Sequence, residues 1–213
     1  MSEAKKVKVG IVGSKFAGVL HMTAYERIPW VEVTAVSGLN AEQRNTFAER
    51  YSIPKQYATY QELVADPDVE VVSICLPNFL HHEVALAACE HGKHVICEKP
   101  IATTMEDALE MTAAFEQKGL RVMYAEDWNF APAIVRAKEI IDQGAIGEIL
   151  YIKAKETHNG SHSPYAQTIE YCGGGSLIHL GIHPAAFVRY ITGQEVVEVV
   201  AKTSPGGTGN LVH

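Results

Sequence analysis

Val7-Lys8-Val9-Gly10-Ile11-Val12-Gly13-Ser14-Lys15-Phe16-Ala17-Gly18 is the stretch that decides the fold. Residues 7–12 are mostly β-branched and apolar, the signature of a buried strand. Gly13 and Gly18 then bracket a turn into a helical stretch through His21, Tyr25 and Ile28. A dinucleotide-binding strand–turn–helix carries G-x-G-x-x-G at this place. The first glycine makes the turn, the second admits the pyrophosphate to the backbone, and the third lets the helix pack closely. Lys15 replaces the middle glycine, so two of the three remain. Its side chain pushes phosphates outward, while its ammonium adds to the positive field of the helix N-terminus. By itself the stretch reads equally well as a tight turn with no ligand.

Working outward, strands and helices alternate. Residues 31–36 read as a second buried strand and 41–51 as a helix closed by Ser52-Ile53-Pro54. A short helix over 59–65, a strand over 69–76 stopped by Pro77, a helix over 81–91 ended by Gly92 and a strand over 93–97 follow. Thr103 or Thr104 caps the next helix, with Glu106 and Asp107 in its first turn, and 120–125 is a further strand. This pattern predicts an α/β fold with a doubly wound parallel sheet over residues 1–126. Beyond it come a helix over 132–143, a longer strand with period-two alternation over 146–157, a loop over 158–175, a helix over 176–192 and a strand over 196–202. These predict a second domain over 127–213 with a half-solvated sheet of different character, which stops incomplete.

The net charge of -7 gives no bulk attraction to nucleic acid or to an anionic membrane, so neither is expected as a partner. Cys75, Cys89, Cys97 and Cys172 lack C-x-x-C spacing, which points to buried, reduced thiols and a cytoplasmic setting. Lys5, Lys6 and Lys8 precede an apolar stretch, but Gly10, Gly13, Ser14 and Lys15 interrupt it, so an export signal is not expected.

Two further places carry chemistry. Glu98-Lys99-Pro100 follows the run His94-Val95-Ile96-Cys97, which sets Lys99 over the crevice beyond the carboxyl ends of the strands. Pro100 fixes its own φ and restricts Lys99 to extended conformations, so the lysine is aimed. At the end of the second strand, where an NAD site expects an acid for the ribose, the sequence is Ser37-Gly38-Leu39-Asn40. Lacking that carboxylate favours NADP, with Lys15, Ser37 and the more distant Arg44 as contributors; NAD held by Asn40 and backbone groups stays open.

Gly13 to Gly18, Leu76-Pro77-Asn78 followed by His81, Glu98-Lys99-Pro100, and Gly181-Ile182-His183 stand in the order in which the glucose-fructose oxidoreductase and inositol dehydrogenase (Gfo/Idh/MocA) family carries them. Over essentially its whole length the chain resembles that family. The resemblance implies a Rossmann domain, a C-terminal α+β domain with an open, mostly antiparallel sheet that forms homo-oligomers, and NAD- or NADP-dependent oxidation or reduction of a sugar, cyclitol or similar small molecule. It implies cofactor contacts from Gly13, Ser14, Lys15, Phe16, Ala17, Gly18, Ser37, Leu76, Pro77, Asn78, His81, Glu98 and Lys99. It makes His183 the general acid/base and Lys99 its assistant.

The chain also departs from the family. Aspartates often stand four residues before and three after the histidine, where this chain has His179 and Ala186. Carboxylate support for His183 is therefore expected to be lost, with His179 taking over a substrate or relay role. Glu126, Asn129, His158 and His162 are expected to face substrate. The many imidazoles around residue 160 suit a divalent metal, but a hydrogen-bonding sugar pocket is preferred and no metal ligand is assigned. A nucleotide-binding sensor or scaffold, and redox-assisted cleavage of a glycosidic bond, remain as alternatives.

Overall fold

The computed structural model describes residues 5–157 and 163–202. The chain divides into two compact units, with the division between Ala125 and Glu126.

The first unit is built on β1 (Val7–Val12), β2 (Val31–Ser37), β3 (Lys55–Tyr57), β4 (Val71–Ile74), β5 (His94–Glu98) and β6 (Val122–Ala125), all parallel, in the order β3-β2-β1-β4-β5-β6. That is the doubly wound order, with its switch point between β1 and β4. Helices cover both faces. On one, α1 (Phe16–Tyr25) and α2 (Ala41–Tyr51) pack Met22, Tyr25, Phe47 and Ala48 against Val9, Ile11 and Val36. On the other, α3 (Tyr60–Val64), α4 (His81–Glu90) and α5 (Met105–Gln117) pack Leu63, Val84, Met111 and Phe115 against Val12, Val72 and Val95. Burying each large side chain contributes about 1.5–3 kcal/mol, so the sheet is held from both sides.

The helices start where short polar side chains meet orphan amides. Asn40 accepts the amide of Gln43, Thr59 and Glu62 form a capping box, and Thr104 accepts the amide of Asp107. Below the sheet edge, the buried Lys93 ammonium donates to the carbonyls of Asp66 and Val69 at 2.7 and 2.8 Å. Asp66 in turn accepts from Lys55 and Tyr57, and Lys55 also pairs with Asp68.

The second unit opens with a 3-10 turn, Asp127–Phe130, and α6 (Pro132–Asp142), which has proline at its start. After a 3-10 turn and α7 (Ile169–Cys172), the π turn Leu177–Gly181 leads into α8 (Ile182–Thr192). The strands expected over 146–157 and 196–202 are not formed among the described residues of this unit. Period-two exposure persists from Ile152 to Thr157. A strand, however, exists only when a neighbouring backbone completes its ladder at about 4.8 Å, so alternation without a partner leaves the segment irregular. The expected antiparallel sheet is therefore absent from the described residues. The loop expected over 158–175 contains the 3-10 turn Pro164–Gln167 and α7. His158 and His162 lie outside the described residues.

Candidate active site

In the first unit the residues singled out from the sequence gather at the carboxyl ends of the strands. Gly13 has φ +104, and its amide donates to the Ser37 carbonyl at 3.0 Å. A Cβ at Gly13 would lie 2.2 Å from the Cys75 carbonyl oxygen, and one at Gly18 would lie 2.2 Å from the Gly13 carbonyl oxygen. Both glycines are therefore required by backbone contact: the first by the turn, the second by the seating of α1. Lys15, at the N-cap, is extended, and α1 has no acidic residue in its first turn. Phe16 is 78% exposed. Free amides at a helix start, beside a glycine with no Cβ, form a cradle that fits a pyrophosphate.

At the end of β2 the structure redistributes the expected roles. Ser37 is 0% exposed, its hydroxyl has no hydrogen-bond partner among the described residues, and its carbonyl ties down the glycine turn. Asn40 is occupied by capping α2. Arg44 Nη1 donates to the Gly38 carbonyl at 2.7 Å, and its buried Nε has no hydrogen-bond partner among the described residues. The distant arginine is thus brought to the strand end.

Leu76, Pro77 and Asn78 follow β4, and a 3-10 turn, Asn78–Leu80, leads into α4. His81 does not face this crevice. It is 0% exposed, with Nδ1 at 2.7 Å from the Pro100 carbonyl oxygen and Nε2 at 2.9 Å from that of Leu76. A direct cofactor contact is therefore replaced by a place beneath the two turns.

Glu98 and Lys99 follow β5, and the Lys99–Pro100 peptide is cis. Glu98 Oε2 accepts the Lys99 amide at 3.1 Å, and Oε1 accepts from His21 Nε2 at 3.1 Å. His21 Nδ1 lies 2.6 Å from the Ser73 hydroxyl, which also meets the Tyr25 hydroxyl at 3.0 Å. The carboxylate only accepts, so Nε2 carries a proton, and a neutral ring then accepts the Ser73 hydroxyl at Nδ1. Burial works to raise the pKa of Glu98, but the His21 bond and the Lys99 amide outweigh it and hold the carboxyl below its ordinary range. Burial pushes Tyr25 up to about 12. The Cys75 and Cys97 thiols beside these turns are buried and pushed far up, which removes thiolate chemistry.

In the second unit, His183 is buried near the start of α8, and its Nδ1 donates to Glu126 Oε1 at 2.7 Å. Glu126 is 2% exposed and accepts the Trp128 amide on the same oxygen at 3.2 Å, while Oε2 has no partner among the described residues. The Trp128 ring stacks on the imidazole, with centroids 5.3 Å apart and planes 15° apart. Glu126 thus fixes a tautomer that presents Nε2 as a base, and Trp128 fixes the ring plane. This corrects the expectation that His183 lacks carboxylate support. Asn129 Oδ1 is buried without a partner among the described residues. His179 lies in the π turn before His183, half-buried. Glu126, Asp127 and His183 hold ligand atoms within 4.8 Å of one another, but the Nδ1 bond to Glu126 already occupies that nitrogen.

A family profile described as "Oxidoreductase family, NAD-binding Rossmann fold" matches residues 7–126, and one described as "GFO/IDH/MocA C-terminal domain" matches residues 134–210. The chain belongs to the Gfo/Idh/MocA oxidoreductase family. Among its Gfo/Idh/MocA relatives, levoglucosan dehydrogenase of Pseudarthrobacter phenanthrenivorans is 32% identical over 89% of this chain and 52% of its own length. Trans-1,2-dihydrobenzene-1,2-diol dehydrogenase of Mus musculus is 32% identical over 92% of this chain and 57% of its own. A structure of levoglucosan dehydrogenase in complex with NADH and levoglucosan aligns with a TM-score of 0.79 over 88% of this chain and 54% of that one. The chain therefore spans about half the length of these relatives. No helix among the described residues is long and apolar enough to cross a membrane.

His21, Ser73 and Tyr25 escaped the sequence reading. Their signal was present as a lone hydroxyl, Ser73, within the apolar run of residues 69–76, and a histidine one helical turn before Tyr25.

Proposed function

We propose that this protein is an NAD(P)-dependent oxidoreductase that transfers hydride between nicotinamide and the hydroxyl or carbonyl carbon of a sugar, cyclitol or related cyclic small molecule. The observation that carries this reading is His183 held by Glu126 and stacked on Trp128. In the oxidative direction His183 Nε2 takes the hydroxyl proton, and the Glu126 carboxylate stabilises the imidazolium that results. Lys99 takes the role of the assisting cation, whose charge would favour a developing alkoxide. Glu126 Oε2 and Asn129 Oδ1, acceptors without donors among the described residues, suit a ligand rich in hydroxyl groups. The bound nicotinamide supplies the hydride acceptor or donor. Gly13, Ser14, Lys15, Phe16, Ala17 and Gly18 would hold its pyrophosphate, and Leu76, Pro77, Asn78, Glu98 and Lys99 the nicotinamide end. With no carboxylate at the end of β2 and Arg44 anchored on Gly38, the cofactor corner favours NADP.

The test is to titrate the protein with NADH and NADPH, then follow reduced-cofactor absorbance over sugars, cyclitols, levoglucosan and trans-1,2-dihydrobenzene-1,2-diol. Turnover that is lost in His183→Ala and Lys99→Ala supports the reading. Binding of neither cofactor removes it, and binding with no turnover on the panel moves it to a sensor or scaffold.

A further inference from the structure

His81 joins two turns that separate strands deliver to the site. Leu76, whose carbonyl faces Nε2, begins the turn after β4; Pro100, whose carbonyl faces Nδ1, ends the turn after β5. Carbonyl oxygens only accept, and a neutral imidazole has a single N–H. A neutral ring therefore satisfies one carbonyl and sets its own lone pair against the other, whereas an imidazolium satisfies both. His81 is fully buried, so bulk solvent does not resolve the conflict.

We propose that His81 is a positioning residue, a buried clamp that ties Leu76-Pro77-Asn78 to Glu98-Lys99-Pro100, fastened at both ends when the ring is protonated and at one end when it is neutral. The aim of Lys99 is then set from beneath the crevice. This role rests on the proposed dehydrogenase reading, but the geometry of the clamp does not. Burial opposes protonation and pulls the pKa of His81 below the ordinary histidine value, while the Leu76 and Pro100 carbonyls and the Glu98 charge act the other way and the Lys99 charge opposes them. The doubly fastened form therefore gains population as pH falls through that lowered value, and is lost as pH rises.

The experiment compares wild type, His81→Gln and His81→Phe. Side-chain ¹⁵N spectra are recorded on both sides of the ordinary histidine range, with NADH and NADPH affinity measured by fluorescence over the same pH values. Wild type is expected to pass from a one-proton to a two-proton ring on the acid side, with cofactor affinity or turnover stepping at the same midpoint. His81→Phe should lose the step and on the order of tenfold in affinity or turnover, with part recovered in His81→Gln, which keeps a donor. If His81→Phe does not fold, His81→Gln carries the comparison, since one amide donor cannot titrate and must abolish the step. A ring that never becomes doubly protonated while the protein stays folded overturns the clamp, as does a step that persists in the variants. Failure of wild type to bind either cofactor would instead sink the dehydrogenase reading, with the ¹⁵N spectra still deciding the clamp.

Discussion

Replacing Glu126 by glutamine keeps the shape of the side chain and removes its charge. Glu126 Oε1 accepts from His183 Nδ1 at 2.7 Å and from the Trp128 amide at 3.2 Å, in a place that is only 2% exposed. A hydrogen bond to a charged group contributes about 1.5–3 kcal/mol. In the proposed alcohol oxidation the His183 cation that forms loses that amount and the ground state loses less, so the loss falls on the transition state. At about 1.4 kcal/mol per tenfold, kcat should drop roughly 10- to 150-fold. The glutamine can also turn its NH2 toward Nδ1, which selects the tautomer with the proton on the wrong nitrogen and adds to the loss. KM for the substrate should rise as well, because Glu126 Oε2 is also an acceptor offered to the substrate hydroxyls, so the fall in kcat at saturating substrate is what reads the loss at the base. Steady-state reduction of cofactor at saturating substrate, together with a fluorescence titration of NADH or NADPH, separates these quantities. A Glu126→Gln enzyme with wild-type kcat, alongside an inactive His183→Ala enzyme, would refute the orienting role.

Three further outcomes follow from other contacts. Gly18→Ala places a Cβ 2.2 Å from the Gly13 carbonyl oxygen, so α1 must move; thermal unfolding should show a loss of about 1–3 kcal/mol, accompanied by weaker NADH binding. Trp128→Leu removes the ring stacked on His183 at 5.3 Å; the lost contact, about 0.5–1.5 kcal/mol, should lower kcat several-fold with cofactor affinity unchanged. Burial works to raise the pKa of Asp66, but bonds from Lys55, the Asp68 amide and Tyr57 outweigh it and hold the carboxyl low, while the Lys55 bond lowers Asp68. Folded-state values below the unfolded ones give stability that is present above the unfolded carboxylate range and lost as pH falls through the folded values. Melting temperature should therefore decline into acid, less steeply in Asp66→Asn, and parallel curves for the two proteins would contradict this.

Local patterns made the first unit readable. The run of residues 7–12, the glycine turn, the cap at Thr103 or Thr104 and Pro77 all act within a few residues of where they stand, and alternation with helices marks a doubly wound sheet. Tertiary contacts were not readable. Glu126 lies 57 residues before the histidine it serves, so a search of the histidine's own helix found only His179 and Ala186. His81 is a polar residue next to a turn, which reads as a ligand contact until burial shows that both ring nitrogens are engaged. The strands expected over 146–157 and 196–202 failed for a related reason: alternation records which side chains face water, but a ladder also needs a neighbour. Ser37 repeats the lesson in miniature, since its position at a strand end was legible and the inward direction of its side chain was not.

The hydrogen-bonded string from Tyr25 through Ser73 and His21 to Glu98 has a practical side for protein engineering. α1 begins at the glycine turn and also grips the carboxylate next to Lys99. A glycine-turn cassette transplanted from a relative to change cofactor preference would bring its own helix with it. Unless that donor helix also presents a histidine to Ser73 and Glu98, the graft would retune the phosphate end and detune the reacting end in the same stroke.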